Sequence, residues 1–189
     1  LTVEASLCHV LFSRGINPQV CAGHSLGEFS ALFAAGALRF EEVLRLVDAR
    51  SRLMTELVPP GGMAAVLGLP HDRLEQALPE GAYVANYNGP DQTIISGTHE
   101  AIKLAEESLK QAGAKRVMPL QVSGPFHSPL MTQARDAFAE VVGVAEISDP
   151  IYPFVSSVSG ERVSDAGRIR ELLANQICAP VQWTRVMST

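Results

Sequence analysis

No stretch of the chain approaches the roughly 18 uncharged apolar residues that a membrane-crossing helix needs, although hydrophobic residues make up 47% of its 189. A soluble protein with a sizeable core is predicted. Basic clusters are missing too: 15 Lys and Arg stand against 20 Asp and Glu, for a net charge of -5, and cations gather no further than pairs such as Lys115-Arg116. That excludes a nucleic-acid footprint, so an anionic substrate would need a local basic pocket. Cysteine is scarce. Cys8, Cys21 and Cys178 are odd in number and lack CxxC spacing, which argues against a disulfide frame or a zinc site and predicts a reducing, cytoplasmic setting. No signal peptide, internal repeat or low-complexity tract is predicted from these residues. The opening residue Leu1, and a last segment VQWTRVMST without a helix-ending signal, predict a piece of a longer protein.

What is present alternates between helical and strand periodicity. Thr2 as a cap, apolar spacing and Gly15 as a stop predict a helix over about 2–14; NPQVCAG then reads as a short buried strand. SLGEFSALFAAG and FEEVLRLVDARSRLMTELV follow as helices, the second ended by Pro59-Pro60. From Gly61 the texture changes. MAAVLGL, AYVANYN, QTIISG and KRVMPLQV read as strands; DRLEQAL, opened by an Asp72/Glu75 capping box, and THEAIKLAEESLKQAG read as helices. The order is βαββαβ, the split arrangement called ferredoxin-like. Beyond it, Ser128 as a cap with Pro129 at the first position opens another helix, IYPFVSS is a second strand of the larger layer, and AGRIRELLANQI is a helix ending before Pro180. The predicted class is α/β: a hydrolase-like layer with a parallel sheet over 1–60 and 123–189, carrying a ferredoxin-like insert over 61–122.

Gly23-His24-Ser25-Leu26-Gly27 is a G-x-S-x-G pattern with a strand before it and a helix after it, the context that puts a serine on a strained, exposed corner. There the amide of Leu26, at the helix start, is a candidate oxyanion donor. A serine hydroxyl needs a base to take its proton. His24 is adjacent and would diverge from Ser25 at a tight turn; His9 lies in the first helix, and His71 and His99 fall near helix starts of the insert. His127, just before the Ser128-Pro129 helix opening, is the predicted base, kept neutral by the positive helix end; the competing reading is a histidine that only packs. No aspartate between Ser25 and His127 suits a triad, since Asp48 faces solvent, Asp72 caps a helix and Asp91 sits in a hairpin turn. The group that orients His127 is then a backbone carbonyl or lies outside the chain. Arg50 stands on the apolar stripe of its helix with Val43, Val47, Leu53, Met54 and Leu57. An inward guanidinium needs either a carboxylate of the chain or one carried by a substrate.

GHSLGEFSAL, the arginine twenty-five residues after the serine, VANYNGPDQTIISG, GAKRVMPLQVSGPFHSPLM and PVQW, in that order, together resemble the malonyl-CoA:acyl carrier protein transacylases, the acyltransferase family of fatty acid and polyketide synthesis. The resemblance covers essentially the whole chain. It implies a ping-pong transfer through a malonyl-serine, with Ser25 as nucleophile, His127 as base and acid, Leu26 as oxyanion donor and Arg50 on the malonyl carboxylate. It also implies that Phe126 crowds out an α-methyl branch and that Asn86 and Asn88 lie near the cleft. No cofactor or metal is expected; the partners are malonyl-CoA and acyl carrier protein, for which Lys103, Lys110, Lys115 and Arg116 are candidate contacts. Two parts of the family pattern are missing, a glycine-rich N-terminal segment whose glutamine gives a second oxyanion contact and a C-terminal segment that helps orient the histidine. A serine hydrolase or thioesterase, and an acyltransferase domain of a polyketide synthase, remain as alternatives.

Overall fold

The computed structural model describes residues 1–189. Helix α1 (Thr2–Ser13) leads to strand β1 (Cys21–Ala22), then α2 (Gly27–Ala34) and α3 (Phe40–Glu56). Strand β2 (Gly62–Leu67), helix α4 (His71–Ala77), the hairpin β3 (Ala82–Gly89) and β4 (Gln92–Gly97), helix α5 (His99–Gln111) and strand β5 (Arg116–Pro119) come next. The chain returns through α6 (Thr132–Gly143), β6 (Phe154–Val155), β7 (Arg162–Val163), α7 (Ala166–Asn175) and α8 (Trp183–Val186).

Two sheets result. In the first, β1 pairs in parallel with β6, and β7 adds an antiparallel edge. The second has the order β3-β4-β2-β5, with every neighbouring pair antiparallel. Each sheet has its own core. Phe29, Leu32, Leu46, Phe138, Phe154, Ile169 and Leu173 fill the space around β1 and β6, while Val66, Leu74, Ile95 and Leu109 pack between the four-stranded sheet and α4 and α5. Side chains of this size contribute about 1.5–3 kcal/mol each when fully buried. The opposite face of that sheet carries Met63, Ala65, Ala85 and Ile94, and Phe126 packs against both this face and the first core. A second tie is backbone: Tyr87 N–H donates to Val181 O (2.9 Å) and Val181 N–H to Ala85 O (2.8 Å). The segment after α7 is thereby anchored to β3.

Several expectations need correction. Both strands of the larger layer shrink to two residues, and β7 and α8 had no counterpart in the sequence reading. Thr2 is the first helical residue of α1, with Leu1 in the capping position. The Asp72/Glu75 capping box does not form: Pro70, in extended backbone, precedes α4, so Asp72 falls inside the first turn. Glu75 instead accepts from the Tyr87 hydroxyl (2.6 Å). Nor does Ser128 cap a helix. Its hydroxyl donates to Pro125 O (2.6 Å), and a 3₁₀ turn, Pro129–Met131, precedes α6.

Candidate active site

Residues 23–27 turn the chain from β1 into α2 so tightly that a Cβ on Gly23 would lie 2.0 Å from the Gly27 carbonyl oxygen. Only glycine fits there. Gly27 is not under that constraint, since a Cβ on it meets nothing within 4 Å. At the corner Ser25 has φ 51°, and the one other non-glycine residue with positive φ is His127, at 57°. Left-handed backbone of this kind costs about 1–3 kcal/mol in a side-chain-bearing residue and persists where the surroundings enforce it. The two strained residues face each other: Ser25 Oγ lies 2.8 Å from His127 Nε2.

The imidazole is fixed from behind. Its Nδ1 lies 3.1 Å from both Gln176 O and Ala179 O, and its backbone N–H donates to Ile177 O (3.1 Å). Two carbonyl acceptors require the proton on Nδ1, which leaves the Nε2 lone pair for the serine hydroxyl. Burial pushes the imidazole down to about 4, assisted by the charge of Arg50 and opposed by the two carbonyls. Desolvation and a neighbouring cation favour the neutral ring, and a 3₁₀ turn stands between it and the helix end expected from the sequence.

Arg50 is only 6% exposed. Its Nη2 donates to Ser25 Oγ (3.0 Å) and its Nε to Gln176 Oε1 (3.0 Å), and its guanidinium carbon sits 6.0 Å from the centre of the Phe29 ring. Burial lowers its pKa to about 10, with the more distant Glu28 charge pulling the other way, so it remains a cation at neutral pH. It enters none of the ion pairs of the structure. The first of the two readings, a direct salt bridge inside the chain, is therefore not what the side chain makes. A desolvated guanidinium with unused donors can take a planar anion such as a carboxylate.

The remaining candidates lie around this centre. Leu26 opens α2, and its backbone N–H makes no hydrogen bond within the protein. Asn88 Oδ1 lies 2.9 Å from His24 Nε2, whose ring also packs edge-on against Trp183 at 5.3 Å. Asn86 is buried on β3 opposite Ile94. Phe126 immediately precedes the histidine at the seam between the cores. A cavity of about 650 Å³ is lined by His24, Leu26, Gly27 and Trp183, and another of about 510 Å³ by Tyr83, Tyr87, His127 and Cys178. The neighbours of Ser25 thus face one hollow and its imidazole partner the other. His71 Nε2 meets Gly89 O (2.7 Å) and makes no hydrogen bond to Ser25 or His127.

Two residues passed over in the sequence complete the centre. The Gln176 side chain touches Arg50, Ser25 O and Glu28, and the backbone carbonyl of Gln176 accepts from His127. Glu28, 1% exposed, is held by Ser156 and Ser157. A signal existed for both: a charged residue on the buried face of α2 beside Phe29 and Leu32, and a polar one inside LLANQIC.

A hydroxyl on a strained strand-to-helix corner, a neutral imidazole against it and a buried cation beside it thus stand together on a mixed α/β scaffold. The particular family is the acyl transferase domain family, which matches residues 1–186, and the chain belongs to it. It is 42% identical over 191 residues to the malonyl CoA-acyl carrier protein transacylase of Bacillus subtilis, covering 97% of this chain and 60% of that protein. Among solved structures, the transacylase of Streptococcus pneumoniae superposes with a TM-score of 0.93 at 37% identity, over 98% of this chain and 63% of that one. A malonyl-transacylase bound to a type II polyketide synthase acyl carrier protein gives the same score and identity over 98% and 62%. The chain spans about three fifths of the length of these relatives. No helix is long and apolar enough to cross a membrane.

Proposed function

We propose that the chain carries the reaction centre of a malonyl-CoA:acyl carrier protein transacylase that supplies fatty acid synthesis. Ser25 Oγ forms an ester bond to the malonyl carbonyl as the carbon–sulfur bond to coenzyme A breaks; His127 takes the hydroxyl proton and returns it to the departing sulfur. The phosphopantetheine thiol of the carrier protein reverses the sequence: it gives its proton to His127 as its sulfur bonds to the malonyl carbonyl, the ester bond to Ser25 breaks, and His127 passes the proton to the Ser25 oxygen. Leu26 N–H serves the oxyanion, Arg50 the free carboxylate. Phe126, Asn86 and Asn88 bound the acyl site. Lys103, Lys115 and Arg116 are exposed cations available to an acidic carrier, while Lys110 is engaged by Glu106 at 2.7 Å. In the same reading residues 1–60 and 123–189 form the hydrolase-like layer and 61–122 the ferredoxin-like unit, which the all-antiparallel strand order supports.

The carrying observation is the guanidinium of Arg50, desolvated and without a carboxylate partner, 3.0 Å from the serine oxygen. An ester hydrolase acting on uncharged acyl chains gives such a cation nothing to bind. Intact mass measurement after addition of malonyl-CoA tests this: a malonyl adduct is expected on Ser25, stable until carrier protein is added. Rapid release of free malonate would identify a hydrolase instead.

The low pKa of His127 gives a second test. An ordinary histidine, with pKa ~6.5, would be about one-tenth neutral at pH ~5.5, whereas His127, held at about 4, stays almost wholly neutral there. Malonyl loading at pH ~5.5 is expected to match that at pH ~7.5 and to fall only on approach to about 4; a drop to about a tenth at pH ~5.5 would refute the burial argument. Stability carries the corresponding sign. Between pH ~6.5 and about 4 the unfolded chain binds a proton that the folded one refuses, so acidification across that window destabilises the fold.

A further inference from the structure

We propose that Glu28 is a positioning residue that sets acyl selectivity by locking the Gln176 amide in the orientation that leaves Arg50 open to an anionic substrate. This rests on the malonyl reading above.

The Glu28 carboxylate is saturated by four donors. Oε1 accepts from the Ser156 hydroxyl (2.8 Å) and Ser157 N–H (3.0 Å), and Oε2 from the Ser157 hydroxyl (2.7 Å) and Gln176 Nε2 (2.5 Å). The Ser156 oxygen itself accepts from Val158 N–H (3.1 Å), which directs its own hydrogen to Glu28. The other Gln176 amide hydrogen goes to Ser25 O (3.0 Å), and the amide oxygen accepts from Arg50 Nε (3.0 Å). All three amide contacts agree. Turning the amide over would set its oxygen against a carboxylate and a carbonyl, and its NH₂ against the Nε–H of Arg50.

A buried anion and a buried cation thus share the interior without touching, because a neutral amide stands between them. The field of Glu28 still favours the charged guanidinium. In direct contact, the carboxylate would occupy the fork that an incoming carboxylate must use. At one amide's remove, it balances the charge and leaves the outer N–H groups unspent. Glu28 touches no reacting atom and acts through Gln176.

The test compares loading of Ser25 from malonyl-CoA and acetyl-CoA in the full chain. In Glu28→Gln, the new NH₂ must face either Ser157 N–H or the NH₂ of Gln176; turning Gln176 over relieves the conflict and sets two donors against each other at Arg50. Selectivity for malonyl over acetyl is expected to fall at least about tenfold, mainly as a rise in the half-saturating malonyl-CoA concentration rather than a lower limiting rate. Gln176→Glu, which puts a carboxylate directly on Arg50, is expected to lower the same ratio and decides the matter if Glu28→Gln does not fold. An unchanged ratio in either folded variant, or an equal loss with both thioesters, overturns the proposal. Wild-type protein that takes no malonyl on Ser25 overturns the malonyl reading itself, an outcome visible before any variant is made.

Discussion

Malonyl loading is expected to disappear in Ser25→Ala and to slow by about 10²–10⁴-fold in His127→Ala. The hydroxyl donates to one nitrogen and accepts from one guanidinium, and no other side chain in hydrogen-bond contact with it can take its proton. Alanine at position 25 keeps the Cβ and therefore the same left-handed strain, so the fold should tolerate the change while the nucleophile is gone. His127→Ala is harsher on packing because the ring is 6% exposed and holds two carbonyls. His127→Gln, closer in volume, separates lost proton transfer from lost packing. Both are read as the rate of malonyl adduct formation in a single turnover, beside a thermal melt. An adduct that still forms in Ser25→Ala would put the nucleophile elsewhere; a His127→Gln rate within a few-fold of wild type would return that ring to a packing role.

The serine corner was legible in the sequence because its cause is local. Gly23 has no room for a side chain, a strand enters and a helix leaves, all within seven residues. Arg50 was legible for a similar reason: helical periodicity alone puts it on the buried face of α3. The partnership of Ser25 with His127 spans 102 residues and that of Glu28 with Gln176 spans 148. No periodicity encodes such separations; they follow from β1 lying beside β6 and from the 176–181 segment being hydrogen-bonded to β3. Short elements escaped for a different reason. A two-residue strand such as Arg162–Val163 exists only because Phe154–Val155 is there to pair with it. The failed capping box shows local chemistry losing to its neighbour, since a serviceable Asp72 lost its place to a proline two residues upstream that fixed where α4 begins. His127 lies beside Ser25, but a 3₁₀ turn intervenes before α6, and burial, which no local pattern around the histidine signals, is the largest cause of its low pKa.

Arg50→Ala is expected to cost malonyl transfer about 2–5 kcal/mol, the range for removing one partner of a desolvated charged pair. That corresponds to about 30- to 5,000-fold in the malonyl-to-acetyl ratio. The loss should be selective. Acetyl has no carboxylate for Arg50 to hold, so its loading changes only through the lost contact with Ser25 Oγ, whereas malonyl loses that contact and its anchor together. Stability responds to opposing effects: a desolvated cation is removed, but the Gln176 amide oxygen loses its donor and Glu28 its nearby counter-charge. Arg50→Lys separates charge from shape. An ammonium keeps the positive field but lacks the planar fork, and it cannot reach Gln176, Ser25 and a substrate carboxylate in one geometry. Its selectivity should therefore fall between wild type and Arg50→Ala. If instead Arg50→Ala slowed malonyl and acetyl loading by equal factors, the guanidinium would be a staple between Ser25 and Gln176, and the substrate carboxylate would have to be bound elsewhere.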